Sequence, residues 1–162
     1  IQGLLPLASS AAHPATCIVF SGAGTNSAVR GLTPYSVSKV ALTKAVENLD
    51  YETPNVSFVS VGPGWVKAPI HNQLLDSPRA DLRSIKETQR RFSEGDFVDL
   101  ELISNFVLWL LEQPKEVIGG RNFSVPNDYP SLKHLASWLK SNESAFKLRR
   151  HSNDYFGIEE NR

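Results

Sequence analysis

Tyr35 and Lys39, four positions apart, are the residues of this chain whose types and spacing point most directly to chemistry. On a helix that separation puts both side chains on one face, about one turn apart. A phenol in water gives up its proton near pH ~10. A neighbouring ammonium stabilises the phenolate, and the positive end of a helix adds to the same field. A tyrosine held this way exchanges a proton as general acid or base near neutral pH. Ser21 closes an apolar run upstream, where its hydroxyl could hold a carbonyl oxygen while Tyr35 delivers the proton. Pro63-Gly64 ends a second β-rich stretch, and a glycine there lets backbone approach a flat ligand closely. Each feature alone has a plain reading: a surface Tyr–Lys pair, a turn serine, an ordinary bend. Accident explains poorly the convergence of all three at one edge of a sheet.

The elements that must position these residues follow from hydrophobic pattern. Cys17-Ile18-Val19-Phe20, closed by Ser21-Gly22-Ala23-Gly24, reads as a buried strand entering a loop. From Tyr35 to Leu49, Ala41, Leu42, Ala45, Val46 and Leu49 recur at helical spacing, with Pro34 suited to the start and Pro54 to the stop. Val56 to Val61 reads as a second strand, ended by Gly62-Pro63-Gly64. Strand, helix, strand with short connections is a βαβ unit, which implies parallel strands and a right-handed crossover. Ligand sites in such sheets form at the carboxyl ends of strands, where Ser21, the first helical turn and Pro63-Gly64 would meet.

Beyond that unit, the charged stretch from Asp76 to Phe92 predicts a surface helix or lid. Asp99 to Glu112 predicts an amphipathic helix through Leu100, Ile103, Phe106, Val107 and Leu110. Gly119-Gly120 turns the chain into a last strand at Asn122-Phe123-Ser124-Val125. Leu132, Leu135, Ala136 and Leu139 predict one more helix, followed by a basic patch at Lys147, Arg149, Arg150 and His151. The order predicts a layered α/β fold with a parallel sheet over 1–128, and a C-terminal helix with a flexible tail over 129–162.

Three blocks carry a resemblance. They are Ile18-Val19-Phe20-Ser21-Gly22-Ala23, Tyr35-Ser36-Val37-Ser38-Lys39-Val40-Ala41-Leu42 and Val61-Gly62-Pro63-Gly64-Trp65-Val66. Together they resemble the second half of the short-chain dehydrogenase/reductase family, over about Cys17 to Lys67. The stretch from Gly120 to Asp128 is similar to that family's closing strand and turn, and the Ser-Gly-Ala loop resembles carbonyl reductases of the sepiapterin/benzil type. The resemblance implies a Rossmann-like three-layer fold and an NAD(P)-dependent oxidoreductase acting on a small carbonyl compound or the matching alcohol. It implies Tyr35 as proton donor or acceptor, Lys39 as partner of the phenol and holder of the nicotinamide ribose, and Ser21 as the group orienting the substrate oxygen. It implies Pro63, Gly64 and Val66 along the nicotinamide, with NADP ahead of NAD as cofactor. Trp65 is a candidate wall of the substrate pocket. The Tyr–Lys helix in this family often packs against its copy in a second subunit, which Ala41, Ala45 and Val46 would suit, so a homo-oligomer is expected. Here the chain departs from the family in four ways. No Gly-rich phosphate loop precedes Cys17, no helix-borne Asn stands upstream of Ser21, Ala68 replaces the usual Thr, and the Ser21–Tyr35 gap is one residue longer.

Those departures, with a first residue that is not Met, lead to the expectation that the N-terminal half is missing. They also raise a rival: a truncated, non-catalytic remnant or interaction module that cannot hold a dinucleotide alone. Other readings are weaker. Gly22-Ala23-Gly24-Thr25-Asn26-Ser27 nearly fits a dinucleotide fingerprint, but Gly31 and Pro34 break the helix it needs. Ser21 lacks the Gly-x-Ser-x-Gly elbow of a serine hydrolase, and His13, His71, His134 and His151 lack metal-ligand spacing. Seventeen basic residues balance seventeen acidic ones, which argues against a nucleic-acid or membrane-surface footprint. One cysteine, Cys17, permits no internal disulfide, so the expected setting is cytoplasmic. No apolar run approaches the ~20 residues that span a bilayer.

Overall fold

The computed structural model describes residues 15–22, 24–25, 28–29, 31–76 and 82–149. The βαβ unit is present. Strand β1 (Ala15–Phe20) leads through helix α1 (Thr33–Glu52) to strand β2 (Val56–Gly62). Pro34 lies in the first turn of α1, where its missing N–H costs nothing and its fixed φ favours the helix. Short helix α2 (Ile70–Leu75) and helix α3 (Leu82–Glu94) follow, then α4 (Leu100–Leu111), one-turn α5 (Lys115–Ile118) and strand β3 (Asn122–Ser124). The charged stretch predicted from Asp76 is thus a helix only from Leu82, and 77–81 lie outside the described residues. Asp99 caps α4, its carboxylate accepting from the Glu101 N–H at 3.0 Å. One-turn α6 (Val125–Asp128), a 3₁₀ turn (Tyr129–Ser131) and helix α7 (Leu132–Lys140) close the fold.

The three strands form one parallel sheet in the order β1-β2-β3. All of β2 but Gly62 is buried, whereas β1 is half-buried and ends on an exposed Phe20. Alternation along β2 divides the core in two, because successive side chains leave opposite faces. Val56 and Phe58 face α1 and pack on Val46, with Ala15, Cys17 and Val19 of β1 on the same side. Val59 and Val61 face the other way, onto Ile103, Phe106 and Leu110 of α4, Phe123 of β3, and Leu135 and Leu139 of α7. Helices therefore cover both faces of a parallel sheet, the three-layer α/β arrangement.

Val46, expected at a subunit contact, is spent in this chain's own core at 1% exposure. Ala41 and Ala45 are exposed, as such a contact would require, and so is Val37. The segment after α7 packs on the same core as the sheet. The Phe146 carbonyl accepts the Asn122 N–H at 2.8 Å, covering the free side of β3, and its ring meets Phe123 edge-on at 5.4 Å. Arg149 pairs with Glu47 of α1 at 2.7 Å. Arg150, His151 and the rest of the predicted tail lie outside the described residues.

Candidate active site

Because the strands are parallel, Ser21, Gly62 and Ser124 follow one another along a single edge of the sheet. Ser21 continues the ladder past β1, its N–H donating to the Val61 carbonyl at 2.9 Å, and the residue is 6% exposed. The first turn of α1 brings Tyr35 over this edge. Its hydroxyl lies where a side chain at Gly22 would begin: a methyl added there would overlap Oη and stand 2.9 Å from Cζ. Only a residue without Cβ lets the phenol reach the backbone beside Ser21. Lys39 lies one turn further along, its Nζ 5.6 Å from the Tyr35 ring centroid. That ammonium also donates to the Phe20 carbonyl at 3.2 Å. The structure therefore brings Ser21, Tyr35 and Lys39 together.

Ser21 has a partner that sequence reasoning did not find. Its hydroxyl donates to Asn122 Oδ1 at 2.9 Å, across 101 positions of sequence, and the Ser60 hydroxyl donates to the same oxygen at 2.9 Å. Ser60 and Asn122 are register partners on β2 and β3, and Ser21 reaches the same oxygen from just past the end of β1. Within the sequence Asn122 showed only as the first residue of the last predicted strand.

The segment after β2 is fixed by its own packing. Gly64 has φ +82, in the left-handed region, and the space beside it is filled by Val98 and Pro126. Its need for glycine is thus met by turn geometry and packing. Pro63 is half-buried, and Val66 packs against the larger core. Trp65 is occupied on its ring: His71 stacks at 4.7 Å with planes 10° apart, and the Arg91 guanidinium lies 4.7 Å from the ring centroid. His71 Nε2 donates to the Val66 carbonyl at 2.8 Å, and Arg91 is held by Glu87 at 2.8 Å. Trp65 is therefore the anchor between the segment after β2 and α3, a role in which a ring face is already committed.

Helix α1 starts at Thr33, and Gly24 is closely covered by Ser36; Ala23, Asn26 and Ser27 lie outside the described residues. Electrostatics at this edge include Asp128, which accepts the Ser124 N–H at 2.6 Å. Burial pushes its carboxyl above the ordinary value, and that hydrogen bond pulls partly back. Among the described residues no cluster of His, Cys, Asp and Glu could hold a metal ion, and no helix is long and apolar enough to cross a membrane. No protein-family model matches the chain, and no curated protein sequence matches it.

Proposed function

We propose that the chain carries the proton-transfer half of an NAD(P)-dependent oxidoreductase of the short-chain dehydrogenase/reductase type. The observation that carries this reading is the seat of the Tyr35 hydroxyl on Gly22, beside Ser21 and with Lys39 one turn on. A substrate carbonyl oxygen placed there meets an acid, a hydroxyl and a cation at once. Tyr35 gives its proton to that oxygen as negative charge develops, or takes it back from the alcohol. Lys39 places its charge where the tyrosinate forms. Ser21 orients the oxygen, turning its hydroxyl away from Asn122 by rotation about one Cβ–Oγ bond. Asn122, shared with Ser60, holds the serine in place between encounters.

The residues present suit the nicotinamide-ribose end of a dinucleotide. Lys39 has used one of three donors on Phe20, leaving two for ribose hydroxyls. Pro63 and Val66 offer an apolar strip beyond β2. When bound, a nicotinamide dinucleotide supplies hydride chemistry at the carbonyl carbon, and the chain supplies position and charge.

The test uses NADPH with a panel of small diketones, followed by loss of absorbance at the nicotinamide band. Wild type turns over, and Tyr35→Phe loses at least about 10²-fold in rate, the lower range for a general acid, while fluorescence titration shows NADPH binding unchanged. Turnover retained by Tyr35→Phe removes the assigned role. The remnant reading gains if wild type neither turns over nor enhances NADPH fluorescence.

A further inference from the structure

The opposite edge of the sheet holds a cluster of charges with the positive ones in excess. Arg121, just before β3, is 2% exposed. Its Nη1 donates to the carbonyls of Asn142 at 3.0 Å and Ala145 at 2.5 Å, and its Nη2 to Leu139 at 3.0 Å. Nε is buried with no acceptor. Carbonyl dipoles satisfy donors but do not cancel a full charge, and the carboxylate that acts on Arg121, Glu143, does not form an ion pair with it.

The nearby ion pairs belong to other cations. Lys115 takes Asp50 at 2.5 Å, and Arg149 takes Glu47 at 2.7 Å. None of the ion pairs among the described residues includes Arg121, Lys140 or Lys147. Burial pushes the Arg121 guanidinium below its ordinary value, with Glu143 pulling partly back; burial and then the Arg121 charge lower Lys147, against Glu47 and Glu143. These groups line one cleft of about 520 Å³, between the end of α1, α5 and the end of α7. With Lys115 and Asp50 paired off, Arg121, Lys140 and Lys147 face Glu116 and Glu143, leaving one positive charge over. A cleft of this size suits a small ligand.

We propose that this cleft binds a phosphate-type oxyanion, with Lys147 and Lys140 as the docking groups and Arg121 as the fixed charge behind them. The site is independent of the Tyr35 edge. It has two chemical sources, the free anion or a phosphomonoester, which share the same recognition.

The experiment is calorimetric titration of the full chain with inorganic phosphate and, separately, glycerol 2-phosphate, at ionic strength matched with sodium chloride. Saturable one-to-one binding is expected for at least one of them. Lys147→Gln and Lys140→Gln should each weaken it at least about fivefold, as expected for one charge-assisted contact. Lys133→Gln, an exposed lysine of α7 outside the cleft, should leave it unchanged. Tighter binding of the ester assigns the cleft to phosphomonoesters, and the reverse order assigns it to the free anion. If Lys147→Gln does not fold, Lys140→Gln at the exposed rim decides. Absence of saturable heat for both anions overturns the proposal, as does equal weakening by Lys133→Gln.

Discussion

Replacing Asn122 by alanine tests whether the buried polar group behind Ser21 works as a unit. The substitution removes one acceptor that serves two hydroxyls, on Ser21 at 6% exposure and Ser60 at 0%. A buried hydroxyl left without its partner costs about 1–3 kcal/mol. Ser60 has no access to water and bears the larger share; Ser21 sits at the rim and bears less. Together they give a loss of about 2–3 kcal/mol, which for a chain of this size lowers Tm by roughly 4–12 °C. The diagnostic is the cycle with Ser60→Ala. Alone, that change deletes one hydrogen bond and costs about 1 kcal/mol. In the Asn122→Ala background it removes an orphaned hydroxyl and should be neutral or stabilising. Urea melts of the four proteins therefore give a coupling of about 1–2 kcal/mol, within the range for residues of one network. Additive losses, with coupling below about 0.3 kcal/mol, show that Ser60 does not depend on Asn122 and refute the reasoning.

Other expectations rest on different contacts. Gly22→Ala places a methyl on the Tyr35 hydroxyl and should displace the phenol, lowering diketone reduction more than Tm; unchanged turnover would sink the seat assigned to Tyr35. Asp128→Asn keeps an acceptor for the Ser124 N–H and removes a charge that burial disfavours. Since the folded carboxyl titrates above its unfolded value, its stabilising share is present below about pH 3.9 and fades as pH rises through the folded value. The variant should thus melt above wild type at pH 7, with the gap closing toward pH 3; a gap independent of pH contradicts this. Lys115→Met strips Asp50 of its ammonium and frees the Asp50 and Val56 carbonyls, and should cost about 2–4 kcal/mol in chemical denaturation. A loss below about 0.5 kcal/mol, typical of a surface pair, argues that water replaces the ammonium freely.

What the amino-acid order determined by itself was local. Apolar period marked β1, α1, β2, α4 and α7, because a face that must be buried repeats at the pitch of its own element. Pro34 marked a helix start, since its fixed φ acts within the first turn. The Tyr35–Lys39 spacing put both side chains on one face before any packing was known, and the parallel βαβ unit put Ser21 at the same edge. Contacts that depend on register across the sheet lay beyond local pattern. Asn122 meets Ser21 and Ser60 only because β3 pairs with β2 at that one register, and a shift of one residue would turn it to the other face. The folded arrangement also decided that Val46 packs inward, that Trp65 is held by His71 and Arg91, and that Arg121 is buried with its guanidinium on backbone carbonyls. Each of those outcomes depends on which distant element fills the space beside a residue, and a side chain's type and spacing carry no record of that.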